Sequence, residues 1–181
     1  NKIALPGKHN LSNLLAAATV AHFMHIPNKH IEKIMATFTG VPHRLEPVVT
    51  LRGVDYVNDS KATNIDSVKV ALDSFNKSII LILGGQYKGG NFKELLPHAN
   101  NIKAVLAYGQ AHQTIETALG DAVRLYCFDN LKDAVSKSQS LASLGDIVLL
   151  SPGCASFDQF DNFEHRGDLF KQWVSQLEEQ K

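Results

Sequence analysis

The sequence predicts an α/β fold: a Rossmann-like, mostly parallel sheet with flanking helices, preceded by a short helical remnant of an upstream domain. Three observations carry that expectation. Apolar runs of strand length recur after Pro42, namely IILIL at 79–83, AVLAY at 104–108, VRLYCF at 123–128 and DIVLL at 146–150. Runs that are apolar throughout mark strands covered on both faces. Amphipathic stretches near 65–75, 91–98, 111–119 and 131–142 alternate with them, the pattern of right-handed crossovers between parallel strands. The first forty residues, by contrast, read as helical.

In chain order, SNLLAAATVAHFM (12–24) is rich in alanine and leucine, which favour helix. Pro27 opens a second helix at a position where its missing N–H costs little. Ile31, Ile34, Met35 and Phe38 follow at i, i+3, i+4 and i+7 as one apolar stripe. Gly40 and Pro42 stop that helix. Two helices cannot close a core, so residues 1–40 are expected to be the tail of another domain. The chain starts at Asn1 and runs straight into a motif, which suggests an excised piece. LEPVVTL (45–51) and VDYVN (54–58) flank Arg52-Gly53 as a β-hairpin. A last helix is expected from about Phe163 to Glu179, and residues 41–181 form the α/β domain.

The bulk numbers exclude several function classes. Eighteen basic side chains balance eighteen acidic ones, so no global field favours nucleic acid or an anionic membrane. An anionic ligand has to be held by a few placed cations. No apolar stretch approaches the ~18 residues of a membrane helix. Two cysteines, Cys127 in an apolar run and Cys154, make no disulfide framework, which fits a reducing cytoplasm. His9, His43 and His165 lack metal-ligand spacing, so no metal site is expected.

Ligands of a parallel sheet sit outside the carboxyl ends of its strands. Three polar segments follow strands directly: NDSKATN (58–64), GGQYKGG (84–90) and SPGCASFDQF (151–160). If their strands are neighbours, one crevice collects all three. Asp59 suits ribose hydroxyls, Lys61 a phosphate and Thr63 a carboxylate; the plainer reading is a polar loop in which Thr63 or Asn64 caps the next helix. Lys88 is one cation on a glycine-rich loop that matches neither nucleotide-binding glycine fingerprint, and a solvated lysine is its plain reading. Asn10 and Asn13, at i and i+3, suit a nucleobase edge, against simple capping by Asn10. Arg44 could fork onto a phosphate, against an ordinary surface ion pair. Cys154 lacks an identifiable base and is not read as a nucleophile.

Taken together, GKHNLSNLLAA, PHRLE, NDSKATN, LILGG with its following lysine, and LLSPGCASFDQFDNFEHRG resemble the Mur ligases, and DSKATN and SPGCASFDQF resemble the D-glutamate-adding members in particular. The resemblance implies an ATP- and Mg2+-dependent enzyme of peptidoglycan precursor synthesis. It would activate the carboxylate of UDP-N-acetylmuramoyl-L-alanine as an acyl phosphate and attach D-glutamate. It implies Asn10 and Asn13 beside adenine, Asp59 at the ribose, Arg44 on the nucleotide and Lys61 near the transferring phosphate as the catalytic cation. Thr63, Lys88, Ser156 and the backbone around Phe157 and Phe163 would receive D-glutamate. It also implies that residues 1–40 belong to a central ATPase domain.

The chain departs from the family's pattern in having no G-T-x-G-K-[ST] phosphate loop. Magnesium ligands cannot be located either, so this piece alone is expected to be inactive. Tyr87 before Lys88 is also unusual for the group. The expected protein is cytoplasmic and monomeric. The alternatives are another Mur-type or folylpolyglutamate-type amide ligase, a dehydrogenase-type dinucleotide-binding domain, or a non-catalytic Rossmann binding module.

Overall fold

A computed structural model describes residues 8–179, with side chains described for 11–177. The chain forms two compact units, residues 1–41 and 42–181. The first consists of α1 (Lys8–Phe23) and α2 (Asn28–Thr37). α1 starts ahead of the expected Ser12, so Asn10 lies inside it and is not its cap. Pro27 is the N-cap of α2. The pair buries little: Leu14 is covered, while Leu15, Val20, Phe23, Ile34 and Phe38 stay exposed. The stripe of α2 is thus present in register but only half used.

The second unit holds a six-stranded sheet in the order β1-β2-β6-β3-β4-β5. Its strands are β1 (Glu46–Leu51), β2 (Val54–Asn58), β3 (Ile79–Gly84), β4 (Ile102–Tyr108), β5 (Leu125–Phe128) and β6 (Ile147–Gly153). Only β1 runs antiparallel, paired with β2; the other five are parallel. The hairpin turns on Arg52 and Gly53, both at positive φ (51° and 76°), the conformation that matches the twist of a two-residue hairpin. The crossovers carry α3 (Ile65–Asp73), a 3₁₀ segment (Phe92–Asn101), α4 (His112–Leu119), α5 (Leu131–Leu141) and the closing α6 (Phe163–Glu179).

Alternation within the buried strands builds two cores. Val57, Ile79, Leu81, Leu83, Val105, Ala107 and Leu149 face α3, the 3₁₀ segment and α4. Tyr56, Ile80, Ile82, Leu106, Tyr108, Val148 and Leu150 face α5 and α6. Odd and even positions serve opposite faces, as a period-two strand demands.

The expected helical stretch at 91–98 is present as 3₁₀ helix with Pro97 inside it, where proline denies the chain an α-helical hydrogen bond. Two expectations need correcting. Ser151-Pro152-Gly153 belongs to β6, not to a loop: the β3–β6 register shifts between Ile82 and Gly84, and such an irregularity admits a proline. Cys127 does not sit in an apolar environment; it is exposed on edge strand β5. Among the described residues no helix is long and apolar enough to cross a membrane.

Candidate functional site

Strands β2, β6 and β3 are adjacent, so the three polar segments that follow them meet at one end of the sheet. Backbone hydrogen bonds bind them together. Asp59 N–H donates to Leu150 O (2.8 Å), Gly153 N–H to Ala62 O (2.9 Å) and Gln86 N–H to Ala155 O (2.9 Å). β4 joins through Gly85 N–H to Tyr108 O (3.1 Å). A Cβ at Gly84, held at φ 142°, would overlap the Tyr108 backbone, so glycine is required for this approach.

Beneath the crevice lies a buried polar network. Asn58 Nδ2 lies 3.1 Å from His43 Nδ1 and donates to Glu46 Oε2 (3.0 Å), while its Oδ1 accepts from Ser60 N–H (3.1 Å). Asp59 is buried, and its two oxygens accept from Leu45 N–H (3.1 Å) and Ser151 Oγ–H (2.8 Å). Burial outweighs those bonds and pushes its carboxyl up to about 6. His43 and Leu45 both hold left-handed backbone (φ 64° and 44°), a conformation disfavoured for such residues. Between them Arg44 is turned outward and exposed.

Arg166 is the largest fully buried side chain and has no carboxylate partner among the described residues. Its Nε and Nη2 donate to Ser60 Oγ (2.9 Å) and Ser60 O (2.8 Å). Nη1 donates to Cys154 O (3.1 Å) and reaches Tyr108 Oη at 3.4 Å. One guanidinium thus ties together the loop after β2, the loop after β6 and the end of β4. Its fork of five donors suits that task in a way a lysine's point charge does not. The next residue, Gly167, must lack a side chain, because a Cβ there would overlap the His43 ring.

Above this floor stand the residues singled out in the sequence. Lys61 is exposed, its Nζ 4.7 Å from the centre of the Phe163 ring. Lys88 is exposed, its Nζ 4.9 Å from the centre of the Phe157 ring. Thr63 is exposed, and the cap of α3 is Asn64, whose side chain accepts from Ser67 N–H (2.9 Å). Ser156 is buried, and its carbonyl receives Gln159 and Phe160 N–H. Tyr87 folds back, donating to Gly90 O (2.8 Å) and stacking on Phe92, which closes the glycine-rich loop on itself. Lys61, Thr63, Lys88, Ser156, Phe157 and Phe163 all lie on loops at this end of the sheet, or at the N-terminus of α6. Asn13 is exposed on α1 in the other unit, and the side chain of Asn10 lies outside the described residues.

Cys154 is buried, and its thiol is pushed up to about 12, chiefly by burial; it is neutral at physiological pH and unsuited to nucleophilic work. Among the described residues no group of three or more His, Cys, Asp or Glu could hold a metal ion.

The sequence reading missed Arg166, Asn58 and Ser151. For Arg166 a signal exists: it precedes Phe170, Val174 and Leu177 at i+4, i+8 and i+11, the buried stripe of α6. A charged residue in a buried register needs partners.

The family model of the Mur ligase glutamate ligase domain matches residues 43–154, more than half of the chain. This chain belongs to the Mur ligase family. The UDP-N-acetylmuramoylalanine–D-glutamate ligase of Salinibacter ruber is 44% identical over 179 residues, 98% of this chain and 39% of that protein. The enzyme of the same name from Bacillus subtilis is 44% identical over 179 residues, 97% of this chain and 40% of its own length. The chain thus spans about two-fifths of the curated relatives it matches. Among solved structures, the UDP-N-acetylmuramate–alanine ligase MurC of Thermotoga maritima superposes with TM-score 0.74 at 14% identity, covering 97% of this chain and 39% of that one. That likeness speaks for the shared fold. Membership of the Mur ligases displaces the dehydrogenase alternative.

Proposed function

We propose that this chain is the amino-acid-receiving, C-terminal part of an ATP-dependent ligase that joins D-glutamate to UDP-N-acetylmuramoyl-L-alanine in the cytoplasm. The observation that carries the reading is identity above 40%, over nearly the whole chain, to relatives bearing that name. The geometry agrees with it. A dianionic amino acid needs donors at both ends, and the crevice offers Lys88, Thr63 and Ser156 on adjoining loops. Fixing both carboxylates aims the neutral amine at an acyl phosphate, which converts an encounter into a near-attack arrangement.

In the overall reaction, phosphoryl transfer from ATP to the substrate carboxylate yields ADP and an acyl phosphate. Attack by the amine forms the amide and releases inorganic phosphate. Lys61, on the loop between β2 and α3, is placed by this reading beside the transferring phosphate, where a cation offsets developing charge. Arg44 is assigned to the nucleotide and Asn10 and Asn13 to adenine. Asp59 is assigned to the ribose through lone pairs not taken by Leu45 and Ser151; each carboxylate oxygen can accept twice. Among the described residues there is no metal-ligand cluster, and the sequence has no phosphate loop, so beyond Lys61 and Arg44 no residue is assigned to the magnesium and phosphate part of ATP.

The test is phosphate release by the full-length ligase carrying this segment, with amino acids supplied one at a time. Turnover should require D-glutamate together with the muramoyl substrate. Turnover with another amino acid and none with D-glutamate would overturn the proposal.

A further inference from the structure

Lys88 stands on a loop whose backbone does little to aim it. Gly89 and Gly90 follow at φ 89° and 119°, and a side chain at position 89 would meet open space. Among the described residues its ammonium has no ion-pair partner, and its defined contact is the face of Phe157. Phe157 is 60% exposed and belongs to neither core cluster. The loops that carry the two residues are zipped by the Gln86–Ala155 bridge, so ring and ammonium are presented from paired backbones.

Lys61 repeats the arrangement on Phe163, whose ring also meets the His43 ring edge-on at 6.1 Å. Four other lysines of the domain are held by acids: Lys69 by Asp66 and Glu94, Lys77 by Asp55, Lys103 by Asp146, and Lys171 by Glu46 and Asp168; Lys93 and Lys132 make no ion pair among the described residues. The distinction is chemical. An aromatic face attracts a cation through its quadrupole and leaves the ammonium's charge in place. A carboxylate would fix the ammonium too, but would compete with an incoming carboxylate for the same donors. Tyr126 on β5 also carries cations, Arg124 and Lys137, so the contact alone identifies nothing. At the crevice both cations come from strand-end loops and both rings from the short segment 157–163.

We propose that Phe157 is a positioning residue: its ring holds Lys88 over the crevice, charged and free of any acid, ready for a carboxylate of the incoming amino acid. The inference rests on the D-glutamate reading above.

Steady-state kinetics of the full-length ligase test it, with Lys88→Ala, Phe157→Leu, Phe157→Tyr and the Phe157→Leu/Lys88→Ala double variant. Leucine keeps most of the volume and removes the quadrupole; tyrosine keeps both. Phe157→Leu should raise the KM for D-glutamate about 2- to 30-fold, with kcat, the KM for ATP and the melting temperature near wild type. Phe157→Tyr should stay near wild type, and the double variant should be no worse than Lys88→Ala. If Lys88→Ala is impaired while Phe157→Leu is normal, or if the two effects multiply, the positioning role is wrong and the D-glutamate reading stands. An unchanged KM for D-glutamate in Lys88→Ala overturns both. A fall in the melting temperature of Phe157→Leu with equal loss in Phe157→Tyr would make the ring merely structural, and the proposal would fail.

Discussion

The two ends of the parallel sheet treat their lysines differently. At the amino ends Lys77 sits on Asp55 before β3 and Lys103 on Asp146 at the start of β6, while Arg124 before β5 rests on the Tyr126 ring. At the carboxyl ends the cations Lys61 and Lys88 rest on phenyl rings, and the buried Arg166 is satisfied by oxygens that carry no charge. A closed ion pair has nothing left to offer a ligand. An unpaired cation held by neutral groups keeps its attraction for an anion at the cost of local stability. The comparison teaches where to look in an α/β domain: not for the most charge, but for charge left uncompensated on a well-tied floor.

The largest effect should come from cutting that floor. Arg166→Met leaves the carbonyls of Ser60 and Cys154 buried without their donor. A loss of about 3 kcal/mol or more is expected, roughly 10 °C in melting temperature. Arg166→Lys should recover only part of it. Urea denaturation measures this directly, and a loss below about 1 kcal/mol would mean that the loops do not depend on the guanidinium.

Asp59 gives the next test. Its folded-state carboxyl lies at about 6, above the ordinary unfolded value, so between pH 4 and 6 the folded state binds more protons than the unfolded. The contribution of this group is therefore full below pH 4 and is lost as pH rises through 6, up to about 3 kcal/mol. Protonated, Asp59 can donate to Ser151 Oγ; ionised, it accepts from it. Asp59→Asn should flatten that segment of the stability–pH curve. An equally steep curve in the variant would place the titration elsewhere.

A smaller effect, on binding and not on folding, is expected from Lys88→Ala. Losing a charge-assisted hydrogen bond worth roughly 1.5–3 kcal/mol should raise the KM for D-glutamate about 10- to 150-fold in the full-length ligase. The melting temperature should hold. Cys154→Ala, at the same end of the sheet, should keep most of the activity, since its thiol is neutral and only packs.

Much of this was legible in the sequence, for reasons that differ by element. β3 and β4 announce themselves because both faces are covered, so 79–83 and 104–108 are apolar throughout. β5 reads the same way as VRLYCF, yet it is an edge strand with Cys127 exposed; a run of apolar letters cannot say how many neighbours a strand has. The crevice was legible because three polar segments each follow a strand, and the adjacency of β2, β6 and β3 brings them together. The rings under Lys61 and Lys88 were not, since each contact joins residues far apart in the chain and the plain reading of an exposed lysine is solvent. Arg166 was legible in principle from its helical register.

The smallest expected effect lies at the other end of the sheet and is the control for all the rest. Lys77 Nζ lies 2.7 Å from Asp55 Oδ2, with the two side chains 50% and 36% exposed. Water screens such a pair, and exposed ion pairs contribute about 0.2–1 kcal/mol. Lys77 first, then Thr50, holds the Asp55 carboxyl below its ordinary value, so this contribution is present at neutral pH and lost as pH falls through the folded-state value. Lys77→Ala should thus cost under about 1 kcal/mol at pH 7 in low salt, and almost nothing in 1 M salt, where the screening length shrinks to about 3 Å. Asp55 keeps its bond from Thr50 Oγ1 (2.8 Å), so no buried group is left bare. Urea melts at two salt concentrations measure it. A cost as large as that of Arg166→Met, or one indifferent to salt, would mean that Lys77 and Asp55 are not a screened surface pair, and the contrast between the two ends would collapse.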